Sequence, residues 1–106
     1  MPRPRPSGRR AVPTVEETSA GGLVVDLLGH ATVTWPGDLA DRVRAVLPPA
    51  ASDVATWCRL DVALGHAFAA VATGCITDLG VDVDLVVSHG QTLFHDVVGG
   101  RVAGTL

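Results

Sequence analysis

The sequence predicts a small α/β domain, and three observations support that prediction. Runs rich in Val, Leu and Thr at residues 23–28 and 31–35 are typical of strands. Apolar residues recur every three or four positions over residues 39–47 and again over residues 54–75, which is the period of a helix. A uniformly apolar run follows at residues 85–87. The order of strands, helices and further strands predicts an α/β layer with long connections.

The first strand-like region is interrupted by Gly29, so it predicts either two strands or one long bent strand. Pro36 predicts the start of a helix, because its missing N–H costs nothing in the first turn. Asp38 lies in the same turn, where a carboxylate complements the helix dipole. The pair Pro48-Pro49 predicts the end of this helix.

The second predicted helix is long, with Ser52 as its expected N-cap and Gly80 as its expected stop. Its apolar stripe is interpreted as core packing and comprises Val54, Trp57, Leu60, Leu64, Phe68, Val71 and Cys75. Gly65 and Gly74 each weaken a helix by about 1 kcal/mol. We interpret these two glycines as sites where a neighbouring sheet approaches closely.

The apolar run at residues 85–87 predicts a central strand buried on both faces. Two more strand-like runs, at residues 93–98 and 101–106, flank Gly99-Gly100. Two glycines in that position predict a tight hairpin turn.

The first 21 residues have no helical or strand period, and they are rich in Pro and Arg. We expect residues 1–21 to be a disordered leader, with a partner-binding arm as the alternative. The folded part is then expected over residues 22–106.

Charge and composition exclude several classes of function. Four Arg lie in the first ten residues, and the rest of the chain carries 4 Arg against 11 Asp and Glu. This acidic body argues against a nucleic-acid surface, and the sequence has no Lys that could bind a phosphate. Cys58 and Cys75 are expected to be reduced thiols. No uninterrupted apolar run approaches the roughly 18 residues of a membrane span, so we expect a cytoplasmic protein.

The candidate binding segment is Ser88-His89-Gly90-Gln91-Thr92, directly after the apolar run at residues 85–87. Ligand sites of open α/β sheets lie outside the carboxyl ends of strands. Hydroxyl, imidazole and amide groups can hydrogen-bond the hydroxyls of a small polar ligand. The alternative is a polar turn capped by its own side chains.

Three other interpretations of these residues fail. A nucleophile elbow around Ser88 would need Gly at position 86, which is Val. His89 and His95 lack a third metal ligand nearby in sequence. Asp82 and Asp84 are more simply solvated acids at the start of a strand. The sequence contains no dinucleotide or phosphate-loop motif.

Four segments together resemble the anhydro-N-acetylmuramic acid kinase family. The most specific is Ser88-His-Gly-Gln-Thr92 followed by Phe94-His95, and Cys58-Arg-Leu-Asp-Val-Ala-Leu-Gly-His-Ala-Phe68 precedes it. Gly29-His30 with Trp35-Pro36-Gly-Asp-Leu39, and Gly100-Arg-Val-Ala-Gly-Thr-Leu106, complete the series. The resemblance runs from Gly22 to Leu106, about four fifths of the chain.

The resemblance implies a partial, incomplete actin-like ATPase lobe of the ribonuclease H-like type, with a mixed sheet and two helices. It implies a sugar kinase that uses ATP and Mg²⁺ to phosphorylate 1,6-anhydro-N-acetylmuramic acid while water opens the anhydro ring. Ser88, His89, Gly90, Gln91 and Thr92 are expected near the sugar, with no catalytic residue and no metal ligand in this chain.

The sequence departs from the family in lacking its phosphate loop, its catalytic aspartate and its second lobe. We therefore expect a truncated kinase that is inactive alone and whose natural partner is the second lobe. The alternative is a non-catalytic module, derived from the kinase lobe, that binds a sugar or a protein partner.

Overall fold

The computed structural model describes residues 7–88 and 90–106. Its elements are β1 (Ser7–Glu17), β2 (Leu23–Thr34), α1 (Leu39–Val46), α2 (Val54–Leu79), β3 (His95–Val98) and β4 (Arg101–Thr105). The α/β class with two helices is confirmed. The expected mixed sheet is wrong for the described residues, because their strands form two separate two-stranded antiparallel sheets, β1-β2 and β3-β4.

The first hairpin corrects the expectation of a disordered leader. Residues 7–17 of that leader form β1, which pairs with β2 along its whole length, from Ser7 opposite Thr34 to Glu17 opposite Leu23. The register shifts at Val12/Pro13, where a residue without a backbone N–H is accommodated at an irregularity. Pairing with a long partner strand supplies backbone hydrogen bonds that outweigh the prolines. Residues 1–6 lie outside the described part, and the division of the chain at residue 22 stays a prediction.

Strand β2 is one long strand, which was one of the two expected alternatives. Gly29 lies inside it, close to the end of α2. A Cβ at position 29 would lie 3.0 Å from a methyl carbon of Leu79. The missing side chain therefore lets the strand and the helix approach each other closely.

Helix α1 begins later than the sequence predicts, at Leu39 and not at Pro36. Gly37 has a φ of +55°, which a right-handed helix cannot include, so residues 36–38 form a turn. That turn is closed by a hydrogen bond from the Leu39 N–H to the Pro36 carbonyl, 3.2 Å long. The helix ends before Pro48, as predicted, and buries Leu39, Val43 and Val46.

Helix α2 spans 26 residues and ends where the sequence predicts, at Gly80 in the left-handed conformation with a φ of +62°. Of its predicted stripe, Leu60, Leu64 and Cys75 are buried, and Ala67 joins them. Trp57, Phe68 and Val71 are half-buried. Val54, by contrast, is 85% exposed, so the stripe begins one turn later than predicted.

The two glycines inside α2 do not serve the expected close approach to a sheet. A Cβ built at Gly65 or at Gly74 would have no heavy atom within 4 Å. Both positions therefore face open space.

The core lies between α1 and α2. Its buried members are Leu39, Val43, Val46, Leu60, Leu64 and Ala67. Trp35, Trp57, Phe68 and Leu93 pack against them as half-buried neighbours. Full burial of one Leu or Val side chain stabilises a fold by about 1.5–3 kcal/mol, so this cluster is the main source of stability.

The expected central strand at residues 85–87 is wrong in the described structure. Leu85, Val86 and Val87 are 76%, 63% and 82% exposed, and none of residues 81–88 belongs to a strand. A strand buried on both faces needs neighbours on both sides and layers above and below. The described residues place no such neighbours around this run.

The exposed run accompanies an expanded shape. The radius of gyration is 17.3 Å, whereas a compact chain of this length has about 13 Å.

The last hairpin confirms the prediction for the two glycines. Gly99 and Gly100 have φ angles of +58° and +76°, the combination that a primed two-residue turn requires. The ladder is extended by a 2.7 Å hydrogen bond from the Leu93 N–H to the Leu106 carbonyl.

Helix α2 is long and apolar enough to cross a membrane by length and composition alone, which the sequence analysis did not expect. Its most apolar window has a mean hydropathy of 1.4, and 22% of that window is buried. The core helix of a soluble protein meets the same criterion, so this is a weak indication.

The position of the core predicts that substitutions at two positions of α2 differ sharply in their effect on the free energy of unfolding. Leu60→Ala should lower the free energy of unfolding by about 3 kcal/mol, because Leu60 is 2% exposed at the centre of the helix pair. Val62→Ala, at an exposed position of the same helix, should change it by less than about 0.5 kcal/mol. Urea denaturation followed by circular dichroism measures both, and equal effects would contradict the placement of the core.

Candidate functional site

The candidate segment lies between the exposed run and the last hairpin. Ser88, Gly90, Gln91 and Thr92 are all exposed to solvent. His89, the remaining member, lies outside the described residues. The ligand-facing role expected of the five residues therefore stays a prediction.

The described residues of the segment make local hydrogen bonds of the kind expected of a self-capped turn. The Gly90 N–H donates to the Ser88 Oγ at 3.2 Å, and the Gln91 side-chain amide donates to the Thr92 carbonyl at 2.9 Å. Gly90 has a φ of +73°, which favours glycine. Gly90 and Gln91 both line a cavity beside α2.

An open cavity of about 320 Å³ separates this segment from α2. The two sides of the cavity are formed by Trp57, Asp61, Gly65 and Phe68 of α2 and by Gly90 and Gln91 of the candidate segment. Leu60 and Leu64 of the core also line it. The floor is therefore apolar, and polar groups lie at the rim.

Helical spacing explains why four residues of α2 line the cavity together. Positions 57, 61, 65 and 68 are separated by four, four and three residues, so they lie on one side of the helix. The spacing of Trp57 and Phe68 predicted core packing, and both do pack against the core. Their position in the cavity wall was not predictable from that spacing, because the opposing segment is more than twenty residues away in sequence.

The N-terminus of α2 holds Trp57 in place. The Trp57 indole N–H donates to the Ser52 Oγ. The expected N-cap at Ser52 is wrong, because the cap is Asp53, whose carboxylate accepts a 2.7 Å hydrogen bond from the Thr56 N–H. That backbone hydrogen bond, with smaller contributions that include the charge of Arg59, lowers the pKa of Asp53 from its ordinary value of 3.8.

A second anchor joins the first hairpin to α2. The Arg10 guanidinium donates a 2.6 Å hydrogen bond to the Val71 carbonyl, across 61 residues of sequence. Arg10 lies in the predicted leader, and no local sequence pattern could have revealed this contact.

The described residues offer no cluster suited to a metal ion. They contain no group of three His, Cys, Asp or Glu side chains that could hold a metal ion. His95 is engaged within the last hairpin, where its Nδ1 lies 2.9 Å from the Thr105 Oγ1. The chain has no Lys to hold a phosphate.

An apolar floor with two aromatic walls and a polar rim is suited to a small polar ligand. The fold and the cavity define a small α/β protein with an open, partly aromatic cavity beside α2. The family model for anhydro-N-acetylmuramic acid kinases matches residues 11–106. The chain belongs to the anhydro-N-acetylmuramic acid kinase family, as the resemblance implied, and the match begins earlier than expected, within β1.

Curated relatives support the same family. The chain is 47% identical over 91 residues to an anhydro-N-acetylmuramic acid kinase of Streptomyces coelicolor. This alignment covers 85% of the chain and 23% of the relative. It is 45% identical over 85 residues to the Rhodococcus erythropolis kinase of that name, covering 79% of the chain and 21% of the relative.

A kinase of the same name from Synechococcus elongatus is 40% identical over 73 residues, covering 69% of the chain and 19% of the relative. The chain thus spans about a fifth of the length of the curated relatives it matches. No solved structure matches it significantly.

The Asp53 cap predicts that the stability of the first turn of α2 depends on pH. Because the folded-state pKa of Asp53 is lowered, its carboxylate stabilises the fold above the ordinary value of 3.8. This stabilisation is lost as the pH falls through the lowered pKa. Asp53→Ala should therefore speed exchange of the Thr56 amide hydrogen at neutral pH.

The matched control is Asp53→Asn, which keeps a capping side chain that does not titrate. In this variant the exchange rate of the Thr56 amide hydrogen, corrected for its intrinsic pH dependence, should stay constant as the pH is lowered from about 5 to about 2. In the parent the corrected rate should rise over the same range. Parallel curves for the parent and the Asn variant would contradict the assignment of Asp53 as the cap.

Proposed function

We propose that the chain is part of an anhydro-N-acetylmuramic acid kinase and contributes to its sugar site. The kinase transfers the γ-phosphoryl group of ATP to O6 of 1,6-anhydro-N-acetylmuramic acid, and water opens the anhydro bond. The product is N-acetylmuramic acid 6-phosphate, an intermediate of cell-wall recycling. The observation that supports this proposal is the family match over residues 11–106, which includes the whole candidate segment.

The candidate segment binds and orients the sugar. Ser88 and Thr92 offer hydroxyl groups that both donate and accept, and Gln91 offers an amide with two donors and an acceptor. His89 belongs to the same set by family resemblance. Such groups matter in phosphoryl transfer without reacting themselves, because catalysis there depends mainly on positioning and charge stabilisation.

MgATP is held by polypeptide outside the described residues. Among these residues there is neither a cluster of three potential metal ligands nor a lysine. The nucleotide site thus depends on a further part of the kinase, the second lobe of an actin-like ATPase fold. The chain aligns with only about a fifth of the length of its relatives, which supports a further part of the kinase outside it.

The protein acts in the cytoplasm, where ATP is supplied. Helix α2 lies in the protein core and not in a bilayer, because its buried stripe contains Leu60 and Leu64 and packs on α1. Small molecules, the sugar and ATP, are the partners, and the acidic body of the chain does not favour nucleic acid.

A ligand titration tests the sugar assignment. Adding 1,6-anhydro-N-acetylmuramic acid to the ¹⁵N-labelled chain should shift the amide resonances of residues 88–92 in a saturable way. Gln91→Leu should weaken binding about threefold to tenfold, because each hydrogen bond lost contributes about 0.5–1.5 kcal/mol.

The control variant for this titration is Thr14→Val, which removes an exposed polar group from β1, remote in sequence from the candidate segment. It should bind the sugar as the parent does. A well-dispersed spectrum that does not respond to the sugar at any concentration would refute the assignment.

A further inference from the structure

The side of the cavity formed by α2 has a composition that packing alone does not explain. Trp57 and Phe68 are half-buried, Asp61 between them is exposed, and Gly65 has no side chain. All four line the cavity that faces Gly90 and Gln91. Trp57 and Phe68 also pack on the core, and Asp61 and Gly65 add a carboxylate and an open position beside them.

The gap at Gly65 is unfavourable for the helix. Glycine in a helix interior destabilises it by about 1 kcal/mol relative to alanine. A Cβ at position 65 would meet no heavy atom within 4 Å, so no neighbouring group requires the glycine. Its structural effect is to keep the cavity open between Asp61 and Phe68.

These groups together match the chemistry of an amphipathic sugar. The C–H face of a sugar ring is apolar and packs well against an aromatic ring, which offers a large apolar surface. The hydroxyl groups at its edge are donors that a carboxylate accepts strongly. A volume of about 320 Å³ lies at the lower end of the range for small-molecule pockets, roughly 300–1,000 Å³.

We infer that this face of α2 is the second half of a carbohydrate-binding site, opposite Gly90 and Gln91. Trp57 and Phe68 contact the apolar face of the sugar, Asp61 accepts hydrogen bonds from its hydroxyl groups, and Gly65 leaves room for the ring. This inference rests on the proposed function for the nature of the ligand, and it assigns binding residues on a helix outside the candidate segment.

A matched pair of glycine substitutions tests the inference. Gly65→Leu places a branched side chain in the cavity, whereas Gly74→Leu makes the same change further along α2, outside the cavity lining and also in open space. Both changes should raise helix stability to a similar degree, because leucine favours helices over glycine. Circular dichroism and urea denaturation check that both variants are folded.

The readout is the ¹⁵N titration with 1,6-anhydro-N-acetylmuramic acid. Gly65→Leu should weaken binding by more than tenfold, and Gly74→Leu should leave the dissociation constant unchanged. In the parent, the Trp57 indole N–H resonance should shift with the sugar, and the indole of Trp35, which does not line the cavity, should not. Asp61→Asn should weaken binding about threefold to tenfold.

The outcomes separate this inference from the proposed function. If the sugar shifts residues 88–92 equally in the Gly65→Leu and Gly74→Leu variants, the α2 face is not part of the site and the proposed function stands. If the folded parent does not respond to the sugar at all, the proposed function fails and the inference fails with it.

Discussion

The packing of α1 against α2 around Leu60 is the interaction on which the rest of the structure depends. Leu60 is the most deeply buried large side chain among the described residues, and the buried residues of α1 belong to the same cluster. Helix α2 carries nearly everything else. The first hairpin meets it at Leu79 and Val71, and the cavity lies along its N-terminal half. Loss of the helix pair would therefore remove the frame that brings Trp57 and Gln91 to one cavity.

Much of this frame was predictable because its determinants are local. The end of α2 at Gly80 depends on a left-handed residue that glycine adopts readily, and the Gly99-Gly100 turn depends on the same property. The apolar period of α2 marks the correct face. The errors at its start, and at the start of α1, arise where neighbouring residues compete. Asp53 caps better than Ser52 here, and Gly37 delays the helix that Pro36 would permit.

The remaining features depend on contacts between distant residues, which a local pattern does not contain. An apolar run such as Leu85-Val86-Val87 indicates a preference for burial but not whether a covering layer exists. Contacts between distant residues also determine the pairing of β1 with β2 and the hydrogen bond from Arg10 to Val71. For the candidate site, the polar segment was predictable from its residue types. The opposing wall on α2 was not, since its spacing also suits a core.

The exposed run at residues 85–87 has a consequence for assembly into fibrils. Stacked in-register strands lie about 4.7–4.8 Å apart, and segments of six or seven low-charge residues are the ones that form them. Here Asp82 and Asp84 lie just ahead of the three apolar residues. Stacking identical chains would align each of these carboxylates with its own copies above and below, at a distance where like charges repel strongly. The two aspartates thus disfavour in-register stacking of this exposed run.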